Sequence, residues 1–123
     1  MSKKIFIVYG HHDIKKSFNA FVRDTFIEEA KKLGYQIDLI NLHEEKPIPF
    51  FDGSGPNDQI LDYRKRLEAS DVLFMISPCY NLRATAILEN WIDLTLAPKW
   101  FFSFKRLVGN WGYPVCLLYT SPS

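Results

Sequence analysis

An open, doubly wound α/β domain, with helices on both faces of a parallel sheet, is the fold class this sequence predicts. Three observations carry it. Ile5–Tyr9 and Val72–Ile76 are short, continuous apolar runs rich in β-formers, the pattern of strands covered on both faces. Segments of helical period stand between the strand-like runs and after the last of them. Strand, helix and strand in alternation form βαβ units, which pair their strands in parallel through a right-handed crossover.

The elements follow in order. Ile5–Tyr9 ends at Gly10, and residues 10–16 make a polar turn. Ser17 is placed to cap an amphipathic helix that turns Phe18, Phe21, Val22, Phe26, Ala30 and Leu33 inward. Arg23, Asp24, Glu28, Glu29, Lys31 and Lys32 fall on the other face, and Gly34 suits the position just past the end. Tyr35–Leu42 alternates in part and reads as a second strand. Pro47, Pro49, Gly53, Gly55 and Pro56 make residues 43–57 a long loop. Asn57 or Asp58 can cap a helix to about Ala69, with Ile60, Leu61, Tyr63 and Leu67 as its apolar positions.

Val72–Ile76 is the third strand, and Ser77–Asp93 turns through Pro78 into a helix from about Thr85. Ile87, Leu88, Trp91, Ile92 and Leu96 recur at helical spacing there, and the helix stops before Pro98. Residues 99–114 read as an aromatic, turn-rich stretch. Three strands of the five usual for such a sheet leave the third with an open edge. The fold is therefore expected to be incomplete, a three-layer α/β/α sandwich cut short. Cys116–Ser123 resembles the translated reading frame of a transposon adapter used in sequencing libraries. On that basis residues 1–115 are expected to be the amino-terminal part of one domain, and 116–123 a non-native tail.

Bulk properties narrow the function. Fifteen basic against fourteen acidic residues give a net charge of +1, with no electrostatic pull toward nucleic acid or an anionic membrane. No apolar run approaches the ~18 residues of a membrane span, and the amino terminus lacks a signal-peptide core. Two cysteines without CxxC spacing suggest neither a disulfide framework nor a zinc site. A cytoplasmic protein is expected.

Ligands of open α/β sheets bind outside the carboxyl ends of the strands, where the strand order reverses. With the order 2-1-3-4-5, the loops after strands 1 and 3 flank that crevice. The first, Gly10-His-His-Asp-Ile-Lys-Lys-Ser17, leads into a helix N-terminus that attracts an anion such as phosphate, with His11, Lys15, Lys16 and Ser17 to assist. An ordinary capped helix explains Ser17 equally well. Neither a Walker loop nor GxGxxG is present, which argues against nucleoside triphosphatase and Rossmann dinucleotide chemistry. The second loop, Pro78-Cys-Tyr-Asn-Leu-Arg83, presents main-chain amides and a flat aromatic, a combination that suits a planar heteroaromatic such as flavin. A plain β-to-α turn fits that spacing as well. Metal binding is not expected, because adjacent His11 and His12 should point apart and no third ligand stands near. Cys79 has no evident base to make it a nucleophile.

Ile7-Val-Tyr-Gly-His11, Ser17-Phe-Asn19 and Ser77–Asp93 together resemble the flavodoxin-like NAD(P)H:quinone oxidoreductases. That family includes the modulator-of-drug-activity proteins and the ancillary flavoproteins of glutathione-gated potassium efflux systems. The likeness runs from Lys4 to about Val115, and Trp91-Ile-Asp93 after Ile87-Leu88 is its most specific part. It implies a flavodoxin-like fold, bound FAD or FMN, hydride transfer from NAD(P)H to a quinone by a ping-pong route, and a homodimer. By the same resemblance, His11 (or His12 in its stead), Ser17, Phe18 and Asn19 hold the flavin phosphate and ribityl chain. Pro78, Cys79 (through its backbone), Tyr80, Asn81 and Leu82 line the isoalloxazine edge. Phe102 and Phe104 match aromatics of the substrate pocket, and Phe18, Phe102 and Phe104 serve equally as packing residues.

Thr85 stands where the family usually has proline, and Glu89 where it usually has lysine. The family's Thr-Thr-Gly-Gly type turn and the Tyr/His pair beyond it have no counterpart, so no catalytic residue is assigned and the chain alone is expected to be inactive. The alternative reading is a non-catalytic flavin- or nucleotide-binding regulatory subunit of a potassium efflux system. A simple electron carrier ranks last, since its phosphate loop is rich in Thr, Ser and Gly.

Overall fold

The computed structural model of the chain describes residues 3–97, 100–108 and 111–116, with side chains as far as residue 101. Strands β1 (Lys4–Tyr9), β2 (Gln36–Asn41) and β3 (Val72–Ile76) form a parallel sheet in the order β2-β1-β3. The ladders run from Lys4↔Gln36 to Tyr9↔Asn41 and from Ile5↔Val72 to Tyr9↔Ile76. Central β1 is buried throughout Ile5–Tyr9, as its unbroken apolar run requires.

Two cores lie on opposite faces of the sheet. Phe6 and Val8 pack with Tyr63 and Leu67 of α3 (Asp58–Glu68) and Leu88 and Trp91 of α4 (Ala86–Thr95). Trp91 meets Phe6 edge to face at 6.1 Å, a geometry worth ~1 kcal/mol beyond its buried area. Ile5, Ile7 and Tyr9 pack on the other face with Ala20, Phe26, Ile27 and Ala30 of α1 (Phe18–Lys32). The chain thus sends α1 to one face after β1 and α4 to the other after β3.

Local signals account for the helix ends. The Ser17 hydroxyl accepts from the Ala20 amide at 3.1 Å, and the Asn57 side chain accepts from the Ile60 amide at 2.9 Å. Gly34 takes φ +87° and donates to Lys31 O while Tyr35 N reaches Ala30 O, a Schellman closure that favours glycine.

Several expectations need correction. The buried stripe of α1 is Ala20, Arg23 and Ala30, flanked by half-buried Phe26 and Ile27. Phe18, Phe21 and Leu33 are instead 75%, 65% and 75% exposed. The helix is turned so that small alanines meet the sheet, and Arg23, placed outside by charge alone, goes in because acceptors await it there. Leu61 is half exposed, off the Ile60–Tyr63–Leu67 stripe. Residues 42–45 form a short helix, α2 (Leu42–Glu45), so the long loop begins only after Lys46.

The aromatic stretch is a hairpin. β4 (Phe102–Val108) and β5 (Trp111–Cys116) pair antiparallel in a sheet of their own, from Phe102↔Cys116 to Val108↔Trp111. Among the described residues β3 has no strand on its outer side, and Val72 and Met75 stand exposed along it. Of the expected foreign tail, Cys116 closes β5 and residues 117–123 lie outside the described part.

Candidate functional site

The carboxyl ends of β1 and β3 place two loops side by side, because the strands are neighbours and α1 and α4 leave them on opposite faces. That is the switch point at which open α/β sheets take ligands. The loops are latched. Gly10 N donates to Ile76 O at 2.8 Å, and the buried Thr85 hydroxyl donates to Gly10 O at 2.6 Å. Approach is so close that a Cβ on Gly10 falls 2.9 Å from Leu88 Cβ and 3.1 Å from Thr85 Oγ1, so glycine is needed there for space. Thr85 occupies the N-cap position of α4 but spends its hydroxyl on the latch rather than on a cap.

Loop 10–17 folds on its own polar groups. The Asp13 carboxylate accepts from the Lys15 and Lys16 amides at 3.0 and 2.9 Å, and those two bonds hold it below the ordinary carboxylate range. His11 Nδ1 accepts from Asp13 N at 2.9 Å, so neutral His11 carries its proton on Nε2 as a donor. The Tyr9 hydroxyl lies 2.7 Å from Asp13 O and 2.7 Å from Ser17 Oγ. Ser17 Oγ is therefore committed to the cap and the loop. What α1 offers an anion is its first amides: those of Phe18 and Asn19 find no acceptor among the described residues.

All three histidines of the chain gather here. Contrary to expectation, His11 and His12 do not point apart: their rings stack at 4.4 Å, and His43 of α2 meets His12 edge-on at 6.4 Å. Burial, then the neighbouring His12 and His11, push the His43 imidazole below its ordinary value. Among the described residues no group of three or more His, Cys, Asp or Glu side chains can hold a metal.

The second loop is a two-residue hairpin. Tyr80 N donates to Arg83 O at 2.9 Å and Arg83 N to Tyr80 O at 3.1 Å, with Asn81 and Leu82 at φ +53° and +63°. Two positive φ values in succession are the type I′ turn. Asparagine tolerates that region, whereas a leucine there costs ~1–2 kcal/mol, strain of the kind stored at functional sites. The turn sets Leu82 96% exposed beside exposed Cys79, Tyr80 and Asn81, and the Asn81 and Leu82 amides have no acceptor among the described residues. Cys79 is a free thiol.

The expected site residues fall into three groups. His11, Ser17, Phe18 and Asn19 lie in the first loop and first turn of α1, and Pro78–Leu82 form the facing loop. Phe102 and Phe104 lie on β4, opposite Cys116 and Pro114 in the ladder, and their side chains fall outside the described part. The donors present fit a flavin mononucleotide: paired free amides at a helix N-terminus for a phosphate, and paired free amides beside apolar side chains for a ring edge. Sequence reading missed Arg23, which enters this end of the sheet from α1. Its buried guanidinium donates to Ile14 O at 2.7 Å and to Asn41 Oδ1 at 3.0 Å. A lone arginine on a helix carries no signal of burial.

The sequence profile of the Flavodoxin-like fold family matches residues 3–121. The chain is 31% identical over 100 residues to an FMN-dependent NADH:quinone oxidoreductase of Mycoplasma mobile, covering 72% of this chain and 48% of that protein. It is 24% identical over 125 residues to the ribosyldihydronicotinamide dehydrogenase [quinone] of Rattus norvegicus, covering 81% and 54%. Among solved structures it superposes on an NAD(P)H:quinone oxidoreductase from Methanothermobacter marburgensis with a TM-score of 0.72 at 20% identity, covering 78% of this chain and 54% of that one. The chain spans about half the length of the curated relatives it matches. No described helix is long and apolar enough to cross a membrane.

Proposed function

The chain belongs to the flavodoxin-like fold family, and from that premise we propose that it is the flavin-binding part of an FMN-dependent NAD(P)H:quinone oxidoreductase. The observation that carries this reading is the pair of latched loops at the ends of β1 and β3, each with two amides that find no acceptor among the described residues. The name of the Mycoplasma mobile relative favours FMN over FAD and NADH as the hydride donor. When bound, FMN supplies a ring that accepts a hydride from the nicotinamide and passes its electrons to the quinone.

The chain's residues bind and orient. The Phe18 and Asn19 amides, with the α1 dipole, face the phosphate, and the Lys15 and Lys16 ammonium groups and the His11 Nε2–H add positive or donor character around it. Ser17 acts through the cap and the loop rather than by its hydroxyl on the ligand. The Asn81 and Leu82 amides donate to the ring edge, and Pro78, Tyr80 and Leu82 cover its apolar parts. Phe102 and Phe104 line the acceptor pocket in a homodimer.

The test is reconstitution with FMN followed by NADH and then a quinone. The visible flavin band is expected to bleach with NADH and return with the quinone. A band that bleaches no faster than free FMN, or a chain that retains no FMN on desalting, contradicts the proposal.

A further inference from the structure

Arg23 is 7% exposed and faces the carboxyl end of the sheet, yet it belongs to no motif and touches no residue expected to meet the ligand except through the loop. Its guanidinium reaches three elements. Nη2 donates to Ile14 O in loop 10–17 at 2.7 Å, Nη1 to Asn41 Oδ1 at the end of β2 at 3.0 Å, and Nε to Asp24 Oδ1 at 2.9 Å. Its carbon lies 4.5 Å from the centre of the Tyr9 ring. The Tyr9 hydroxyl in turn holds Asp13 O and Ser17 Oγ, and Ser17 caps α1.

Burying a cation is costly, and replacing it with an apolar group is often neutral or stabilising. The stripe on which it sits is otherwise packed by Ala20 and Ala30, so packing does not call for a long side chain. A planar fork can stack on Tyr9 while holding acceptors on both sides; an ammonium cannot, and an apolar group holds none. We propose that Arg23 is a positioning residue that keeps loop 10–17 in the shape that presents the α1 amides to the flavin's anionic end, an inference that rests on the flavin reading above. Arg23 ties Ile14 to β2, its ring contact orients Tyr9, and Tyr9 sets Asp13 and the Ser17 cap.

The test is limited trypsin digestion of the full chain under native conditions, alongside FMN titration. Lys15 and Lys16 are exposed in the loop, and exposed Lys65 of α3, on the opposite face of the sheet, is an internal control. In Arg23→Gln, cleavage after Lys15 and Lys16 relative to Lys65 is expected to rise roughly fivefold or more, since local opening follows local and not global stability. Arg23→Lys is expected to fall between Gln and the parent, because it keeps the charge and part of the grip. FMN is expected to bind several-fold more weakly in the same order.

An unchanged cleavage ratio, including one in which all sites speed up together, overturns the proposal, as does a raised ratio with unaltered FMN affinity. Should Arg23→Gln fail to fold, Tyr9→Phe removes only the two hydroxyl contacts and must raise the ratio in the same direction; an unchanged ratio there overturns the proposal too. If the parent chain takes up no FMN, the flavin reading fails while the cleavage ratio still decides whether Arg23 holds the loop.

Discussion

Replacing Thr85 with valine tests the latch between the two loops. The change keeps the branched shape and one methyl, and removes the hydroxyl that donates to Gly10 O at 2.6 Å across 75 residues of sequence. Thr85 is 6% exposed and Gly10 is buried, so solvent does not readily replace the lost donor. An acceptor left unsatisfied in the interior costs about 1–3 kcal/mol, the desolvation of the carbonyl rather than the small net worth of the bond. For a chain of this length each kcal/mol lowers the melting temperature by roughly 4 °C, so a fall of about 4–12 °C is expected. Urea unfolding at constant slope gives the free energy directly. Thr85→Ser keeps the donor and is expected to lose only about the 0.8 kcal/mol of one methyl group, plus a small cavity cost. A valine variant within about 0.5 kcal/mol of the parent, well under the unsatisfied-acceptor cost, refutes the latch.

Two further perturbations follow from the geometry. Leu82→Gly relieves a positive-φ leucine and removes a side chain that is almost wholly exposed, so a gain of about 1 kcal/mol is expected. The same change is expected to weaken FMN binding, and a loss of stability on urea unfolding contradicts the strain. Acid stability should fall in two stages, measured by urea unfolding across pH. His43 is held below its ordinary 6.5, so its contribution is full above that value and declines as pH drops beneath it, when the unfolded chain takes a proton the folded one resists. Asp38 is held below its ordinary 3.8 by two hydrogen bonds from Arg66, so its contribution is full above 3.8 and is lost as pH falls through the lowered folded value. His43→Gln should abolish the first stage and Asp38→Asn should shrink the second, to which Asp13 also contributes; a single stage untouched by either change contradicts the assignment.

Much of the sheet was legible in the sequence because its determinants are local. The Ile5–Tyr9 run, the Ser17 and Asn57 caps and the Gly34 stop each depend on residues within a few positions. That the loops after β1 and β3 are neighbours followed from strand order alone. Features decided by distant partners were not legible. Arg23 is buried because Ile14, Asn41 and Tyr9 supply acceptors and a ring, and hydrophobic periodicity cannot see them; the same periodicity put Phe18 and Phe21 inside. The type I′ turn needs a leucine at positive φ, which no propensity favours. The β4–β5 hairpin carried a readable signal, Gly109-Asn110 between two aromatic runs, which was overshadowed by the turn-rich composition.

On the function proposed above, the α1 N-terminus receives the phosphate of a flavin whose ring edge meets residues 78–82. Titration of the chain with FMN and with riboflavin, which lacks only the phosphate, addresses it most directly. A partly buried helix N-terminus favours an anion by up to about 2 kcal/mol, so FMN is expected to quench with one-to-one stoichiometry and bind roughly tenfold tighter than riboflavin. Equal affinities, or no binding of either, contradict the account.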